Sequence, residues 1–270
     1  MSIHCLVMDY WNSQMSSLTI ANLTKTYSGP NTPEHVVFDN FSLEIKRDTI
    51  VAVVGANGCG KTTLLNCIAG LTQYEHGNIK IDDKDSQNKN TGFIFQNYRE
   101  SLLPWLKNID NVACVLEKPA LSKLEKHSYI KHWADERGII LPWEVYPYQC
   151  SGGQQQLLAL AREFINQPKL LLMDEPFTAL DYEKRLAWRQ QIETLWEKNP
   201  TTVILVSHDI EEAVYLADEV IVLGGQPAKI FGRHVINIPR PRTPALLQSE
   251  MFYQHHRVVL QSFLRATSIL

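Results

Sequence analysis

The 270-residue chain contains no apolar stretch that approaches the roughly 18 residues of a membrane-spanning helix. The first fifteen residues carry Asp9 and no basic cluster, so the pattern of a secretion signal is missing there. We also find no internal repeat and no low-complexity tract. Any role at a membrane is therefore expected to depend on a partner protein.

Cysteines are few, and their number and spacing argue against two kinds of site. The five are scattered along the chain as Cys5, Cys59, Cys67, Cys114 and Cys150. An odd number without metal-ligand spacing argues against a disulfide framework and against a cysteine metal site. The pattern is typical of free thiols in a reducing cytosol.

A surplus of positive charge is also missing. The formal net charge is -3, with 44% hydrophobic and 20% charged residues. This balance gives no global basic field for nucleic acid or anionic lipid, so we expect no nucleic-acid partner. The composition is typical of an ordinary globular protein, and the length allows one large domain or two small ones.

The strongest positive signal is a glycine-rich loop between a strand pattern and a helix pattern. The β-branched run Ile50–Val54 predicts a buried strand, and 64–69 predicts a helix that Gly70 ends in the left-handed conformation. The residues between them fit G-x-x-x-x-G-K-[ST], the phosphate-binding loop, in the structural context that this motif requires. A plain glycine turn is the alternative, and the Lys-Thr pair argues against it.

This loop supplies most of the predicted nucleotide-binding residues. Its backbone N–H groups and the following helix N-terminus are expected to surround a polyphosphate. Lys61 would contact the β- and γ-phosphates, and the Thr62 hydroxyl would ligate Mg²⁺. The candidates in the loop are Gly55, Asn57, Gly58, Cys59, Gly60, Lys61, Thr62 and Thr63.

A second helix N-terminus has the features of an anion site. Ser151 and Gln154 are three residues apart and predict a capping box, which opens a helix that stops at Pro168. Gly152 and Gly153 leave the backbone amides uncovered by side chains, so this end could receive an anion. A simple N-cap gives the same pattern, and that alternative stays open on these residues alone.

Two further apolar runs end in chemically active side chains. The run 169–173 is followed by Asp174 and Glu175, and 201–206 by Ser207 and His208. Carboxyl ends of parallel strands border the ligand crevice of an open α/β sheet. We expect Asp174 to hold Mg²⁺ and Glu175 to act as general base, with His208 on the same edge.

Other strand patterns place two more candidates. The segments 17–27 and 36–45 alternate as half-buried strands do, and Tyr27 could stack on an adenine or be an ordinary strand tyrosine. The apolar run 91–95 ends at Gln96, whose amide could contact Mg²⁺ or the attacking water.

The rest of the chain predicts a helical insertion and a short C-terminal part. The strand signal disappears between residues 97 and 148, where 101–106 forms an apolar patch. Residues 219–223 are predicted to be the last core strand. Residues 238–244 are predicted to be an extended connector, and 245–265 one terminal amphipathic helix.

These motifs, in this order, resemble the ATP-binding subunit of an ABC transporter over roughly residues 17–230. The matching positions are the Walker A loop 55–63, the Q-loop Gln96, the signature 150–154, the Walker B pair Asp174 and Glu175, the D-loop Asp181, the switch His208 and the adenine-stacking Tyr27. The resemblance implies an α/β fold, a P-loop NTPase (RecA-like) core with an N-terminal antiparallel β subdomain. A helical subdomain, at about 97–165, is inserted between the Q-loop and the signature motif. It also implies an extension 1–16, an ATPase domain 17–235 and a C-terminal tail 236–270.

The resemblance further implies an ATPase that uses ATP and Mg²⁺ and works as a pair of subunits. Glu175, His208 and Gln96 would be catalytic, and Thr62, Gln96 and Asp174 would hold the metal. ATP on one subunit would be covered by Ser151, Gly152, Gly153 and Gln154 of the other, with Asp181 beside them.

Three partners follow from the same resemblance. They are a transmembrane permease that docks near Leu103, Pro104 and Trp105, a second ATPase subunit that is identical or related, and an extracytoplasmic solute-binding protein. The expected location is peripheral, on the cytoplasmic face of the inner membrane.

A narrower resemblance connects the chain to the nitrate/sulfonate/taurine import group. It rests on the stretches 95–106, 174–181, 208–213 and the Pro-Arg-Pro-Arg segment 239–242. It implies import of a small anion or nutrient such as nitrate, sulfonate, taurine or bicarbonate. Cys150 and Leu157 depart from the family pattern, which usually has leucine and arginine there.

Two alternatives remain to be weighed. A soluble ABC-type ATPase acting on ribosomes or DNA would usually carry two cassettes, coiled-coil insertions or a metal hook, and this chain shows one cassette and no heptad run. A kinase-like P-loop enzyme would not need the Ser-Gly-Gly-Gln helix.

Overall fold

The computed structural model describes residues 16–29, 32–82, 84–85, 91–178 and 181–267. The predicted N-terminal extension 1–16 therefore lies almost wholly outside the described residues. Across the described ranges, no helix has both the length and the apolar character that crossing a membrane requires.

Ten strands and seven α-helices form the described part of the chain. The strands are β1 (Ser16–Gly29), β2 (Thr32–Lys46), β3 (Ile50–Gly55), β4 (His76–Ile81), β5 (Lys84–Asp85), β6 (Thr91–Ile94), β7 (Leu170–Asp174), β8 (Thr202–Ser207), β9 (Glu219–Gly224) and β10 (Lys229–Val235). The helices are α1 (Lys61–Ile68), α2 (Asn108–Ala113), α3 (Lys123–Asp135), α4 (Gly152–Phe164), α5 (Tyr182–Lys198), α6 (Ile210–Leu216) and α7 (Glu250–Ala266). Short 3₁₀ helices lie at Tyr98–Ser101, Pro147–Gln149 and Pro244–Gln248.

A six-stranded sheet forms the centre, in the order β10-β9-β3-β8-β7-β6. β3, β6, β7, β8 and β9 are parallel, and β10 is antiparallel to β9. All six residues of β3 are buried, as expected for a parallel strand covered on both faces. The strand that leads into the glycine-rich loop thus lies inside the sheet, between β8 and β9.

Alternate residues of β3 belong to two different apolar cores. Ile50, Ala52 and Val54 pack with the helices and belong to the helix-side core, whereas Val51 and Val53 pack toward a second sheet. Successive side chains of a strand point to opposite faces, so one apolar strand supplies both cores. The second sheet has the order β2-β1-β4-β5 with antiparallel pairing, which confirms the predicted antiparallel β subdomain.

The described chain between β6 and β7 contains helices and turns but no strand, which confirms the predicted helical insertion. Its residues Ile109, Ile130 and Trp133 pack with Leu158 of α4 in the helix-side core. The insertion is therefore joined to the ATPase core through a continuous apolar contact.

Two predictions about the C-terminal part were wrong. Residues 219–223 do form the predicted buried strand, β9, but it is not the last strand of the sheet, because β10 follows and pairs with it. β10 was missed because it is an edge strand whose side chains alternate between exposed and half-buried. Residues 245–265 are not one helix either, since Pro244–Gln248 is a 3₁₀ helix. Ser249 then begins α7, and its Oγ accepts a hydrogen bond from Phe252 N at 3.2 Å.

The segment 238–244 joins β10 to the last helices, and it is held against the core. Arg242 is 1% exposed, and its guanidinium donates to the carbonyls of Tyr215 and Ala217 at 2.9 and 2.8 Å. Burial lowers the pKa of Arg242 to about 10. Arg240 pairs with Glu193 and Asp218. Buried charges of this kind are tolerated only when they are paired, which explains the density of contacts.

Candidate functional site

The glycine-rich loop joins the end of β3 to the start of α1. Gly60 has φ 102° and precedes Lys61, the first residue of the helix. A Cβ atom on Gly60 would lie 2.7 Å from Val37 Cγ1, which is closer than side chains approach. Glycine is thus required there both by the backbone conformation and by the packing of β2 against the loop.

The Lys61 side chain lies across this loop. It is buried, and its Nζ donates to the carbonyls of Gly55 and Ala56 at 2.9 and 3.1 Å. The nearby Cys59 thiol is also buried, and burial raises its pKa, so it is a neutral apolar group. The positive charge of the loop therefore comes from Lys61 and from the N-terminus of α1.

A second set of side chains meets at the carboxyl ends of the neighbouring strands β7 and β8. Asp174 pairs in register with Val206, and Glu175 N donates to Val206 O at 3.0 Å. His208 Nδ1 lies 3.2 Å from Glu175 Oε2. Gln96, which follows β6, donates through Nε2 to the same Oε2 at 3.4 Å. Three separate strands thus bring Gln96, Glu175 and His208 together.

Glu175 has an unusual backbone conformation. Its φ is 44°, in the left-handed region that costs a residue other than glycine about 1–3 kcal/mol. The turn is held by the bond to Val206 O and by Thr178, whose Oγ1 donates to Glu175 Oε2 at 3.2 Å. Conformations of this kind cluster at functional sites, where the surrounding structure maintains them.

The loop and the strand ends are joined by one hydrogen bond. Thr62 Oγ1 donates to Asp174 Oδ1 at 3.2 Å. Burial raises the pKa of Asp174, the bond from Thr62 opposes that shift, and Glu175 reinforces it. A cation beside Asp174 would favour its charged form.

These donors fit Mg²⁺. Hydroxyl, carboxylate and amide oxygens are the ligands that Mg²⁺ prefers, and it is usually held by one or two protein groups together with substrate phosphates. In the described ranges, no cluster of three or more His, Cys, Asp or Glu residues could hold a metal ion. The Thr62–Asp174 pair, with Gln96 on the same edge, is therefore a suitable site for this ion.

The loop borders a cavity of about 420 Å³, within the usual range for small-molecule sites. Its lining residues are Tyr27, His35, Val37, Asn57, Gly58, Gly60, Lys61, Thr62, Thr63, Gln96 and Glu175. His35 and Val37 were not predicted from the sequence. His35 lies opposite Tyr27 in the β1–β2 ladder, so the strand pairing alone could have indicated it.

Tyr27 is positioned at the edge of this cavity. It is 44% exposed, and the Lys25 ammonium lies 4.7 Å from the centre of its ring. Lys25 is itself held by Glu75 at 3.2 Å. The ring therefore has one fixed neighbour and remains accessible to a planar group in the cavity.

The second predicted anion site has the expected local structure. Ser151 Oγ accepts from Gln154 N at 3.3 Å, and Gln154 Oε1 accepts from Ser151 N at 2.9 Å, which confirms the capping box. A Cβ atom on Gly153 would meet no atom within 4 Å, so the backbone there is open.

The structure does not bring this helix end to the cavity of the same chain. None of Ser151, Gly152, Gly153, Gln154 or Asp181 is among the residues that line the cavity. Asp181 instead caps α5, where its Oδ1 accepts from Lys184 N at 3.0 Å. One chain therefore holds the predicted nucleotide-binding residues at the cavity and at helix ends outside it.

The two departures from the family pattern have structural explanations. Cys150 is buried, and its Sγ accepts from Asn108 Nδ2 at 3.0 Å. Leu157 packs against the helix-side core, where an apolar side chain is suited to its surroundings. Both substitutions are accommodated by the packing of α4 on the helical insertion.

The residues predicted to meet a permease form a fixed turn with an exposed tip. Trp105 is 69% exposed, Pro104 is exposed, and Leu103 is half-buried. The buried Asn111 side chain accepts from Leu103 N at 2.9 Å and donates to the carbonyls of Leu103 and Leu106, both at 3.0 Å. The backbone of the turn is held from within while its indole faces outward.

Comparison with known families decides the relationship. The family model described as "ABC transporter" matches residues 38–178, just over half of the chain. The chain belongs to the ABC transporter family. The match begins in β2 and ends just after Glu175, so it includes the loop, the helical insertion and the Walker B strand.

Three curated relatives come from different bacteria. The aliphatic sulfonates import ATP-binding protein SsuB of Bacillus cereus is 37% identical over 85% of this chain and 89% of the relative. The taurine import ATP-binding protein TauB of Escherichia coli O157:H7 is 36% identical over 83% and 86%. The nitrate import ATP-binding protein NrtD of Synechococcus elongatus is 34% identical over 89% and 88%.

A solved structure supports the same assignment. The ATP-binding cassette MJ0796, described as dimeric in a post-hydrolysis state bound to ADP and Pi, superposes with a TM-score of 0.70. The sequence identity is 28%, and the match covers 82% of this chain and 100% of that chain.

These findings confirm the predicted fold class and the prediction that this ABC family member is an ATP-hydrolysing subunit that powers a transporter. The resemblance to the nitrate/sulfonate/taurine importer group is confirmed by the three relatives.

Proposed function

We propose that this chain is the ATPase subunit of an importer for a small anion or related nutrient, of the kind represented by nitrate, sulfonates, taurine or bicarbonate. It would be bound peripherally to the cytoplasmic face of the inner membrane. One observation carries the proposal. Gln96, Thr178 and His208 all contact the same carboxylate oxygen of Glu175, and Glu175 lines the cavity beside the phosphate loop.

The nucleotide would bind first to the residues of a single chain. Tyr27 and His35, on opposite strands at one edge of the cavity, would contact the adenine. The loop 55–63 would surround the phosphates with backbone N–H groups. The ammonium of Lys61 would exchange its bonds to the loop carbonyls for contacts with the β- and γ-phosphates.

Glu175 would then act as the general base. Its carboxylate would accept a proton from the attacking water, which the Gln96 amide would help to orient. His208, already 3.2 Å from Glu175, would donate a hydrogen bond to the γ-phosphate as negative charge develops on it. Mg²⁺, held by Thr62, Asp174 and Gln96, would neutralise part of the phosphate charge.

A second ATPase subunit would complete each site. Ser151, Gly152, Gly153, Gln154 and Asp181 do not line the cavity of their own chain, and the backbone at Gly153 is open. In the proposed pair, these residues of one subunit would cover the ATP of the other. The partner could be identical or related. The description of MJ0796 as a dimer with bound ADP and Pi supports this arrangement.

The exposed turn at Leu103, Pro104 and Trp105 would receive a cytoplasmic helix of the permease. An exposed indole on a fixed turn is typical of the anchors of protein interfaces. An extracytoplasmic solute-binding protein would deliver the solute to the same assembly.

The permease contact is tested with the substitution Trp105→Glu. Assembly with the membrane subunit is expected to be lost, because a charge replaces the apolar anchor, while ATP binding by the separate subunit is retained. The measurement is co-purification from detergent-solubilised membranes, with Tyr253→Glu on the exposed part of α7 as the matched control. A Trp105→Glu complex that forms and transports normally would exclude the dock.

The solute class is tested in the same preparation. ATP hydrolysis by the reconstituted transporter is expected to rise when its solute-binding protein is loaded with nitrate, a sulfonate, taurine or bicarbonate. Absence of any membrane partner in the purified material would favour the soluble alternative instead.

A further inference from the structure

His208 lies between two residues that the buried Glu212 holds in place. Ser207 is the last residue of β8, and its hydroxyl donates to Glu212 Oε2 at 2.7 Å. The same hydroxyl oxygen accepts from Asp209 N at 3.0 Å. The Ser207 hydroxyl therefore links the Glu212 carboxylate to the backbone that follows His208.

The next residue is held by the same helix. Asp209 begins α6, and its Oδ1 accepts from Glu211 N at 2.8 Å and from Glu212 N at 3.4 Å. Glu175 Oε2 lies 3.2 Å from the His208 ring, whereas the ring itself is 52% exposed. The imidazole therefore has few contacts of its own, and its position depends on the backbone that carries it.

Burying the carboxylate of Glu212 costs free energy, so packing alone would not favour this residue here. Its side chain is 5% exposed, and burial raises its pKa, with the bond from Ser207 acting in the opposite direction. Two arginines of α5 compensate its charge, Arg185 at 3.7 Å and Arg189 at 3.9 Å. A buried ion pair at these distances adds little net stability, and apolar residues of similar size often do as well.

We propose that Glu212 is a positioning residue for His208, acting through the hydroxyl of Ser207. Arg185 contributes to the same function, because it contacts both Glu212 and Asp209, the latter at 3.4 Å. This inference rests on the proposed role of His208 in hydrolysis. It adds that the histidine is oriented by a buried carboxylate that does not line the cavity.

The test separates the hydrogen bond from the charge and from the bulk of the side chain. In the assembled transporter, Glu212→Leu removes the acceptor of the Ser207 hydroxyl but keeps an apolar side chain of similar volume. We expect kcat for ATP hydrolysis to fall about 10- to 100-fold, as misplaced catalytic groups do, with KM for ATP unchanged. Glu212→Gln keeps an acceptor for Ser207 and is expected to restore kcat close to that of the parent.

Glu193→Leu is the matched control. Glu193 is also a fully buried carboxylate, but it lies on α5 and pairs with Arg240 and the backbone N–H of Arg242. Its loss is expected to lower the temperature of unfolding without changing kcat below that temperature. An equal fall of kcat in Glu193→Leu and Glu212→Leu would show a general loss of stability and would overturn the inference.

A double-mutant cycle gives a second measurement that does not depend on that control. If Glu212 acts through His208, then Glu212→Leu should cause no further fall of kcat in the His208→Ala background. Additive losses would overturn the inference and leave the role of His208 intact. Normal hydrolysis by His208→Ala alone would overturn the proposed role of His208 and, with it, this inference.

Discussion

Two helix N-termini in this chain are predicted to receive an anion, and the structure gives them different surroundings. The N-terminus of α1 begins at Gly60 without any side-chain cap, beside the buried Lys61, in a cavity of about 420 Å³. The N-terminus of α4 is capped by its own Ser151 and is not part of that cavity. Gly153 there has open space around it, whereas a Cβ atom on Gly152 would lie 3.4 Å from Tyr98 Oη and 3.7 Å from Arg99 Nη2.

This difference fits the proposal that two subunits complete each nucleotide site. The first N-terminus lies beside Lys61 and the cavity, so in the proposal it binds the nucleotide within one chain. At the second, Ser151 and Gln154 cap each other's backbone amides outside that cavity, so in the proposal it contacts a nucleotide held by another subunit. Four experiments test this contrast, and their expected effects decrease in turn.

The largest effect concerns the chemistry beside the first N-terminus. Glu175→Gln removes the proposed base while it keeps the size of the side chain, so hydrolysis should fall by about 10²–10⁴ with ATP binding retained. Steady-state hydrolysis in the assembled transporter and equilibrium nucleotide binding measure the two quantities. Glu100→Gln, on the surface after Gln96, is the control. Turnover near that of the parent would refute the role of Glu175.

The next effect separates the two helix ends by their affinity for a single subunit. Lys61→Ala removes the charge of the first site and should weaken ATP binding by the isolated chain about 10- to 100-fold, the value of a hydrogen bond to a charged group. Ser151→Ala should leave that affinity unchanged, because α4 does not line the cavity. Titration of the isolated chain with ATP measures both. Equal losses in the two variants would show that the sites are not separate.

The third prediction concerns the pair of subunits. In the Glu175→Gln background, Mg-ATP should trap a closed pair, either of this chain with itself or with its co-purified partner. Adding Ser151→Arg should prevent closure, because the long side chain occupies the place of the phosphate. Sedimentation with and without ATP distinguishes the two states. If the Ser151→Arg variant closes as readily as its parent, α4 is only a capped helix.

The smallest effect concerns the other end of α4. Glu163, in the last turn of this helix, accepts from Phe93 N of β6 at 3.1 Å, and burial raises its pKa. The folded state therefore retains a proton that the unfolded state loses as pH rises above about 4.3. The free energy of unfolding should fall as pH increases from that value through the raised pKa, and then remain level.

Glu163→Gln should remove this fall. The free energy of unfolding of the variant should therefore increase relative to that of the parent as pH rises. Glu144→Gln is the control of opposite sign, since Lys131 and Lys107 lower the pKa of Glu144. In that case the free energy of unfolding of the parent increases relative to Glu144→Gln as pH rises above the lowered pKa of Glu144. Urea unfolding at about pH 4 and about pH 7 measures both differences. A constant difference between Glu163→Gln and its parent would contradict the prediction.

Much of the fold was predictable because its signals are local. The loop between β3 and α1 and the capping box of Ser151 each depend on residues near one another in the chain. The predicted neighbourhood of β7 and β8 was also confirmed. Edge strand β10 was not predicted, because its half-exposed side chains give no apolar run.

The roles of the site residues stay predictions, although their positions are now described. The sequence placed Gln96, Asp174, Glu175 and His208 at strand ends. In the structure, Gln96 and His208 lie within 3.4 Å of Glu175 Oε2, and Asp174 accepts a hydrogen bond from the Thr62 hydroxyl. The sequence alone could not indicate His35, because its place beside Tyr27 follows from the β1–β2 register.

The sequence by itself determined which segments become the phosphate loop, the parallel strands and the capped helices, since each is fixed by the period of apolar residues and by backbone preferences. The folded structure was needed to show which strand ends meet and that α4 lies outside the cavity of its own chain. Both outcomes depend on strand order and on packing between residues distant in sequence, which no local pattern encodes. The contact of Arg242 with Tyr215 and Ala217, across more than twenty residues, is of the same kind.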